Sequence, residues 1–244
     1  MKTAAATNDK PLVIGILGGM GSYATVDLFH RIVDAFPGRY EWDRPRILID
    51  NRCTMPSRVR AILYEENREE LVDQMTQSTR ALLDAGANRI LYGCNTSHVF
   101  QDEVCAKLPE ARGYLLDMID LLAQDMSAQG VTSAYLLATE GTIQVGIFQQ
   151  RFAPYGIAIE SADDKQQPVI REFIEVVKQN KIDDASLEGF RDYLLGLGHQ
   201  NVILGCTELP VLYRRINEPL DGIRIFDPMQ SAIDRLVAEH HTQA

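Results

Sequence analysis

Two short segments of this chain repeat one pattern, and that repeat limits the folds open to it more than any other feature. Arg89-Ile90-Leu91-Tyr92 runs into Gly93-Cys94-Asn95-Thr96, and Asn201-Val202-Ile203-Leu204 runs into Gly205-Cys206-Thr207-Glu208. Each is a β-rich apolar run followed by glycine, cysteine and a threonine-containing turn, and the two cysteines stand 112 positions apart. A weaker pair accompanies them: residues 12–17 lead into Gly18-Gly19-Met20-Gly21, and residues 134–137 lead into Ala138-Thr139-Glu140-Gly141-Thr142. The order of these segments predicts two similar halves related by a pseudo-twofold axis. Cys94 and Cys206 then lie at matching strand ends, where ligands of open α/β sheets bind, and point toward one another across a cleft.

The rest of the chain fits an α/β fold. Apolar runs at 12–17, 46–49, 89–92, 134–137 and 201–204 read as strands and alternate with segments of helical period. Leu71, Val72, Met75, Leu82 and Leu83 recur at three- and four-residue steps and stop at Gly86, a helix C-cap signal. Pro168 opens a helix carrying Val169, Ile170, Phe173, Ile174 and Val177. Ser186 and Gly196 bracket another, on Leu187, Phe190, Leu194 and Leu195, and Pro228 opens a terminal one with Ile233, Leu236 and Val237. With 244 residues there is chain for two units. The expected architecture is two pseudo-symmetric α/β domains, each with a mainly parallel sheet flanked by helices and with the site in the cleft between them. Residues 1–114 plus 225–244 form the first, carrying Cys94, and residues 115–224 the second, carrying Cys206.

Charge narrows the partners. Lys and Arg number 24 against 34 Asp and Glu, a net charge of -10 that argues against nucleic acid or an anionic membrane. Positive charge for an acidic ligand must therefore be local. The apolar runs fall far short of the roughly 18 residues that span a bilayer, and residues 1–10 have no hydrophobic core of a secretory signal. The expectation is a cytoplasmic protein. Its four cysteines, Cys53, Cys94, Cys105 and Cys206, form no C-x-x-C pair, so reduced thiols are the default.

A free buried cysteine is ordinarily a small hydrophobe, and Cys53 and Cys105 are read that way. The matched context sets Cys94 and Cys206 apart, because each leaves a strand at a glycine and precedes residues able to begin a helix, where N–H groups favour the thiolate. Two facing thiols without redox pairing suit inversion of a carbon stereocentre: one group removes a proton while the other delivers one to the opposite face. Charge developing on the carbon calls for preorganised donors, and Asn95, Thr96, Thr139, Thr142 and Thr207 are placed to supply them.

The Gly18-Gly19-Met20-Gly21 turn, Cys94-Asn95-Thr96-Ser97-His98, Leu137-Ala138-Thr139-Glu140-Gly141-Thr142 and Gly205-Cys206-Thr207-Glu208-Leu209 together resemble the signatures of the aspartate/glutamate racemase family. The resemblance runs from about Ile14 to Ile233. It implies a cofactor-independent, two-cysteine racemase of acidic amino acids with no metal, a homodimer, in which backbone N–H groups at Met20 and Gly21 approach a substrate carboxylate. It further implies an arginine after a proline and a lysine in the second domain as carboxylate clamps. Met55-Pro56-Ser57-Arg58 resembles the first motif and Lys178 the second. On the residues alone, Lys178 continues the Ile170 and Ile174 column and reads first as a snorkelling helix-end lysine, and Arg58 as one of three neighbouring surface arginines with Arg52 and Arg60. An arginine that grips a carboxylate through two parallel hydrogen bonds is the recognition a dicarboxylate calls for.

Ser22 stands where the family commonly has proline and Ser57 where it commonly has aspartate, and the loop from Asn51 to Pro56 is one residue longer. His98 reads as a metal partner, a modulator of the Cys94 thiol or a simply hydrogen-bonded side chain, and Glu208 as a base holding the Cys206 proton or as a helix cap. Three rivals stand beside the racemase. Gly19-Met20-Gly21-Ser22-Tyr23-Ala24 fits a dinucleotide turn, with Asp50 as ribose acid, and suggests a nucleotide-dependent oxidoreductase. The others are a two-lobed amino-acid-binding protein and a related decarboxylase or isomerase with one working cysteine.

Overall fold

In the computed structural model the described residues are 11–241; residues 1–10, read above for a secretory core, and 242–244 lie outside them. The first half runs β1 (Val13–Gly18), α1 (Ser22–Ala35), β2 (Arg46–Asn51), α2 (Arg58–Tyr64), α3 (Arg68–Asp84), β3 (Arg89–Tyr92) and α4 (Gln101–Lys107). After α5 (Met118–Ala128) come β4 (Ser133–Leu137), α6 (Glu140–Val145), α7 (Ile147–Phe152), β5 (Ala158–Ser161), α8 (Gln167–Lys178), α9 (Asp184–Gly196), β6 (Asn201–Leu204), α10 (Leu209–Tyr213), β7 (Arg224–Phe226) and α11 (Pro228–His241).

The strands form two sheets in which every ladder is parallel, ordered β2-β1-β3 and β5-β4-β6-β7. The expected fold class stands: helices flank two parallel sheets of matching order. In both, the lead strand lies between its successor and the cysteine-bearing strand. Near-continuous apolar strands allow this, because parallel sheets are covered on both faces: Ile14, Ile16 and Leu17 in β1 and Leu136 and Leu137 in β4 are fully buried. The pairing of Leu17 with Tyr92 and of Leu137 with Leu204 sets Cys94 and Cys206 two residues beyond equivalent rungs.

α5 belongs to both cores. Ile119, Leu122, Ala123 and Met126 pack with Leu136, Phe148 and Ile203, whereas Met118 and Leu121 pack with Ile14, Leu28 and Ile233. α11 lies on α1 and α5. Buried Arg31 of α1 meets Asp227 at 2.7 Å, and Asp227 Oδ1 accepts the Met229 N–H at the start of α11. At the expected domain boundaries, Leu115 makes a parallel bridge to Ile90 of the first sheet, and β7, spanning the 224/225 boundary, pairs with β6 of the second.

Several expectations need correction. β5 and β7 are not among the expected strands; both are edge strands, β5 alternating exposed and half-buried residues rather than forming an apolar run, and β7 only three residues long. α9 is capped by Asp183 rather than Ser186: Asp183 Oδ1 accepts the Ser186 N–H while Ser186 Oγ accepts the Asp183 N–H, a reciprocal capping box. The segment after Cys94 opens as a 3₁₀-helix over Asn95–Phe100 and becomes α-helical only at Gln101. Gly86, at φ +100°, does end α3 as expected.

Candidate active site

The two cysteine turns are built alike and tied to each other. Gly93 donates its N–H to Leu17 O at 2.9 Å and Gly205 its N–H to Leu137 O at 2.7 Å, so each glycine extends its ladder by one bond. Their carbonyls face the other half. Asn95 Nδ2 donates to Gly205 O at 3.0 Å, and Thr207 Oγ1 donates to Gly93 O at 3.2 Å. The residue after each cysteine thus holds the residue before the other cysteine. All four are buried, and a buried carbonyl that loses its donor costs about 1–3 kcal/mol. Gly205 has no room for a side chain, because a Cβ there would meet Leu136 Cδ1 at 2.4 Å.

Behind this backbone symmetry the side chains differ. Cys206 is buried and its Sγ donates to Glu208 Oε2 at 3.0 Å. Burial pushes the Cys206 thiol well above the ordinary range, and the Glu208 charge and hydrogen bond add to that push; Lys178 works against it. Glu208 is only 2 % exposed, and its Oε1 has no partner. The capping alternative for Glu208 is not how its side chain is used: it occupies the N-cap of α10 but makes no cap hydrogen bond. Cys94 is half-buried at the N-cap of the 3₁₀-helix.

A set of hydroxyls spans the two halves. Thr96 Oγ1 and Thr142 Oγ1 are 2.7 Å apart, and Thr142 Oγ1 and Thr139 Oγ1 3.0 Å apart, which gathers three of the expected donors across the two halves. Lys178 ends α8 and lies 3.5 Å from Glu175. Burial works against its ammonium, but the negative groups around it, Glu208 first and then Cys206, Glu175 and Cys94, outweigh that and hold its pKa above the usual lysine value. Lys178 therefore shares one electrostatic field with both cysteines. Arg58 opens α2 behind the Ser57 cap and turns inward: its guanidinium donates to Met20 O at 2.7 Å and Pro56 O at 3.0 Å, while buried Nε has no partner. It is no loose surface charge; it fixes the Met20 turn. Ser97, not singled out in the sequence, donates to Met20 Sδ at 2.9 Å. Nothing in its spacing marks it. The bracing role of Gly93 and Gly205 was open to prediction, since twofold symmetry requires such contacts to come in pairs.

His98 is turned elsewhere. Its Nδ1 lies 3.0 Å from Gln101 Oε1, and its charge acts on Asp117 at the start of α5. Among the described residues no group of three or more His, Cys, Asp or Glu is arranged to hold a metal ion. Cys105 is buried in α4, with its thiol pushed up by burial, and Cys53 is exposed beside Ser22 Oγ at 3.2 Å. A cavity of about 650 Å³ beside Arg31 and Asp227 contains none of the expected site residues.

The dinucleotide reading fails at its second glycine. Gly19, at φ +82°, is pressed against the Arg52 backbone, where a Cβ would come within 2.4 Å, and Gly21 faces Glu208 Oε1. A buried carboxylate therefore occupies the helix N-terminus that a pyrophosphate needs.

The fold and the site define a class: two α/β halves that each bring one thiol to a shared, cross-braced centre. The chain belongs to the Asp/Glu/hydantoin racemase family, whose model matches residues 17–236. It is similar to the solved aspartate racemase of Picrophilus torridus, at 26 % identity and TM-score 0.80, over 94 % of both chains. It is 27 % identical over 171 residues to the broad specificity amino-acid racemase RacX of Bacillus subtilis (strain 168), covering 68 % of this chain and 71 % of that protein. The glutamate racemase of Francisella tularensis, solved with D-glutamate, shares the fold at TM-score 0.64 and 16 % identity, over 95 % of this chain and 81 % of that one. Among the described residues no helix is long and apolar enough to cross a membrane.

Proposed function

We propose that this protein interconverts the enantiomers of aspartate, glutamate or both, by two-base proton transfer at the α-carbon between Cys94 and Cys206 without an added cofactor. The observation that carries the reading is the reciprocal bracing of the cysteine turns, Asn95 to Gly205 and Thr207 to Gly93. Such bracing ties the two cysteine turns of opposite halves together and supports thiols that work on both faces of one carbon. Cys206 rests as the thiol, because burial and Glu208 hold its proton; Cys94 is the base of the first half-reaction. In that step Cys94 takes the α-proton, the electron pair passes into the α-carboxylate, and Cys206 returns a proton to the opposite face. Thr96, Thr139 and Thr142 receive the α-carboxylate and stabilise the charge that develops there. Arg58 and Lys178 supply local positive charge for the second carboxylate.

The reading places the protein in the cytoplasm, where free thiols stay reduced, and as a homodimer. The test is direct. Purified protein is incubated with each enantiomer of aspartate and glutamate in deuterated water: α-deuterium enters and optical rotation decays together, with nothing added. Absence of exchange from all four amino acids contradicts the proposal.

A further inference from the structure

The pseudo-symmetry is broken at one position. Two residues after Cys94 stands Thr96, and two residues after Cys206 stands Glu208. Both reach the lead turn of the other half: Thr96 meets Thr142 at 2.7 Å, and Glu208 Oε1 faces Gly21 so closely that a Cβ there would come within 2.1 Å. The backbone frames match and their charge does not. One side offers neutral hydroxyls, the other a carboxylate.

We infer that the unpartnered oxygen of Glu208 receives the α-ammonium of the substrate, so that one carboxylate holds both the bound amino acid and the Cys206 thiol. This rests on the racemase reading above. Glu208 is 2 % exposed, its Oε2 is taken by Cys206 Sγ, and its Oε1 has neither water access nor a donor. An ionised oxygen buried in that state is costly until a donor, best a cationic one, arrives. The nearby Lys178 is bonded to Glu175 instead. A substrate ammonium brings three N–H donors and a full charge. Asn95 Oδ1, also buried and unpartnered on the Cys94 turn, is a second acceptor for it. The substrate is thereby oriented, with ammonium toward Glu208 and α-carboxylate toward the Thr96, Thr139 and Thr142 hydroxyls. Binding also neutralises the charge that keeps the proton on Cys206, and so frees that proton for transfer only when the site is filled.

Calorimetric titration of aspartate against succinate, and of glutamate against glutarate, tests the subsite, since each pair differs by the ammonium. In Glu208→Gln the amino acid loses about ten- to hundredfold in affinity, the scale of one charge-assisted hydrogen bond, while the diacid binds no worse. Gly21→Ala, at an extended φ of -151° that alanine adopts freely, displaces the carboxylate and gives the same selective loss; it decides the matter if Glu208→Gln does not fold. Equal losses for amino acid and diacid, or no loss for either, overturn the inference. Wild-type protein that shows the selective effect without α-deuterium exchange overturns the racemase reading and leaves the subsite standing. Exchange with equal losses does the reverse, and wild-type protein that binds neither amino acid overturns both.

Discussion

Thr207 Oγ1 of the second half donates to the carbonyl of Gly93 in the first, the residue immediately before Cys94. The side chain that follows one cysteine thus sets where the other cysteine leaves its strand. Replacing Thr207 by valine keeps the shape and leaves Gly93 O buried without its donor, at a cost of about 1–3 kcal/mol. Urea unfolding is expected to show that loss, together with a fall in kcat larger than any change in KM. Because Asn95 makes the mirror-image bond, Thr207→Val with Asn95→Ala should be non-additive in turnover, as residues acting as one brace are. Strictly additive effects contradict a shared brace.

Alkylation reads the Cys206 environment. Burial and the adjacent Glu208 carboxylate both disfavour the thiolate, so iodoacetamide labelling of Cys206, followed by peptide mass spectrometry, is expected to rise only above the ordinary thiol range near pH ~8.5. Glu208→Gln removes a negative charge, which makes the thiolate easier to form and moves the labelling midpoint to lower pH. An unchanged midpoint means that Glu208 does not hold the Cys206 proton.

Acid stability reads the joint between the halves. Asp117 caps α5 through Oδ1, which accepts the Ile119 and Asp120 N–H groups at 3.1 Å, while Oδ2 meets Arg151 Nε at 2.8 Å. Burial works against its ionisation, but His98, the Asp120 N–H and Arg151 outweigh burial and hold its pKa below the usual carboxylate value. The stability it contributes is fully present above the unfolded pKa of ~3.9 and is lost as pH falls through the lower folded value. Asp117→Asn is expected to cost about 1–2 kcal/mol at pH 7, from cap and ion pair, and to flatten the acid limb of a Tm-against-pH curve. A parallel downward shift of the whole curve tells against the linkage.

The parts legible in the sequence are those set by local chemistry. Parallel strands buried on both faces announce themselves as apolar runs, so β1, β3, β4 and β6 stand within one or two residues of their expected bounds. The cysteine turns were legible because they repeat. What escaped depends on distant partners: β7 is three residues long and exists only because β6 offers an edge. Ser186 reads as the opening bracket of α9, but the helix starts at Asp184 behind the Asp183 cap, three residues before Ser186. Arg58 was legible as a charge, but the bond to Met20 that turns it inward joins positions 38 apart. Glu208 was ambiguous because one residue type serves both a helix cap and a thiol, and only the 3.0 Å contact to Cys206 separates them.

The central claim is that Cys94 and Cys206 serve opposite faces of one carbon. Proton NMR in deuterated water, following the α-hydrogen of each enantiomer with wild-type protein, Cys94→Ser and Cys206→Ser, tests it most directly. The account predicts wash-out of both enantiomers' α-hydrogens and racemisation by the wild type. Each variant should lose racemisation by at least the roughly hundredfold that a positioned acid or base supplies, and each should retain exchange of one enantiomer only, Cys94→Ser and Cys206→Ser keeping opposite ones. Racemisation surviving either replacement, or both variants retaining the same enantiomer, would contradict it.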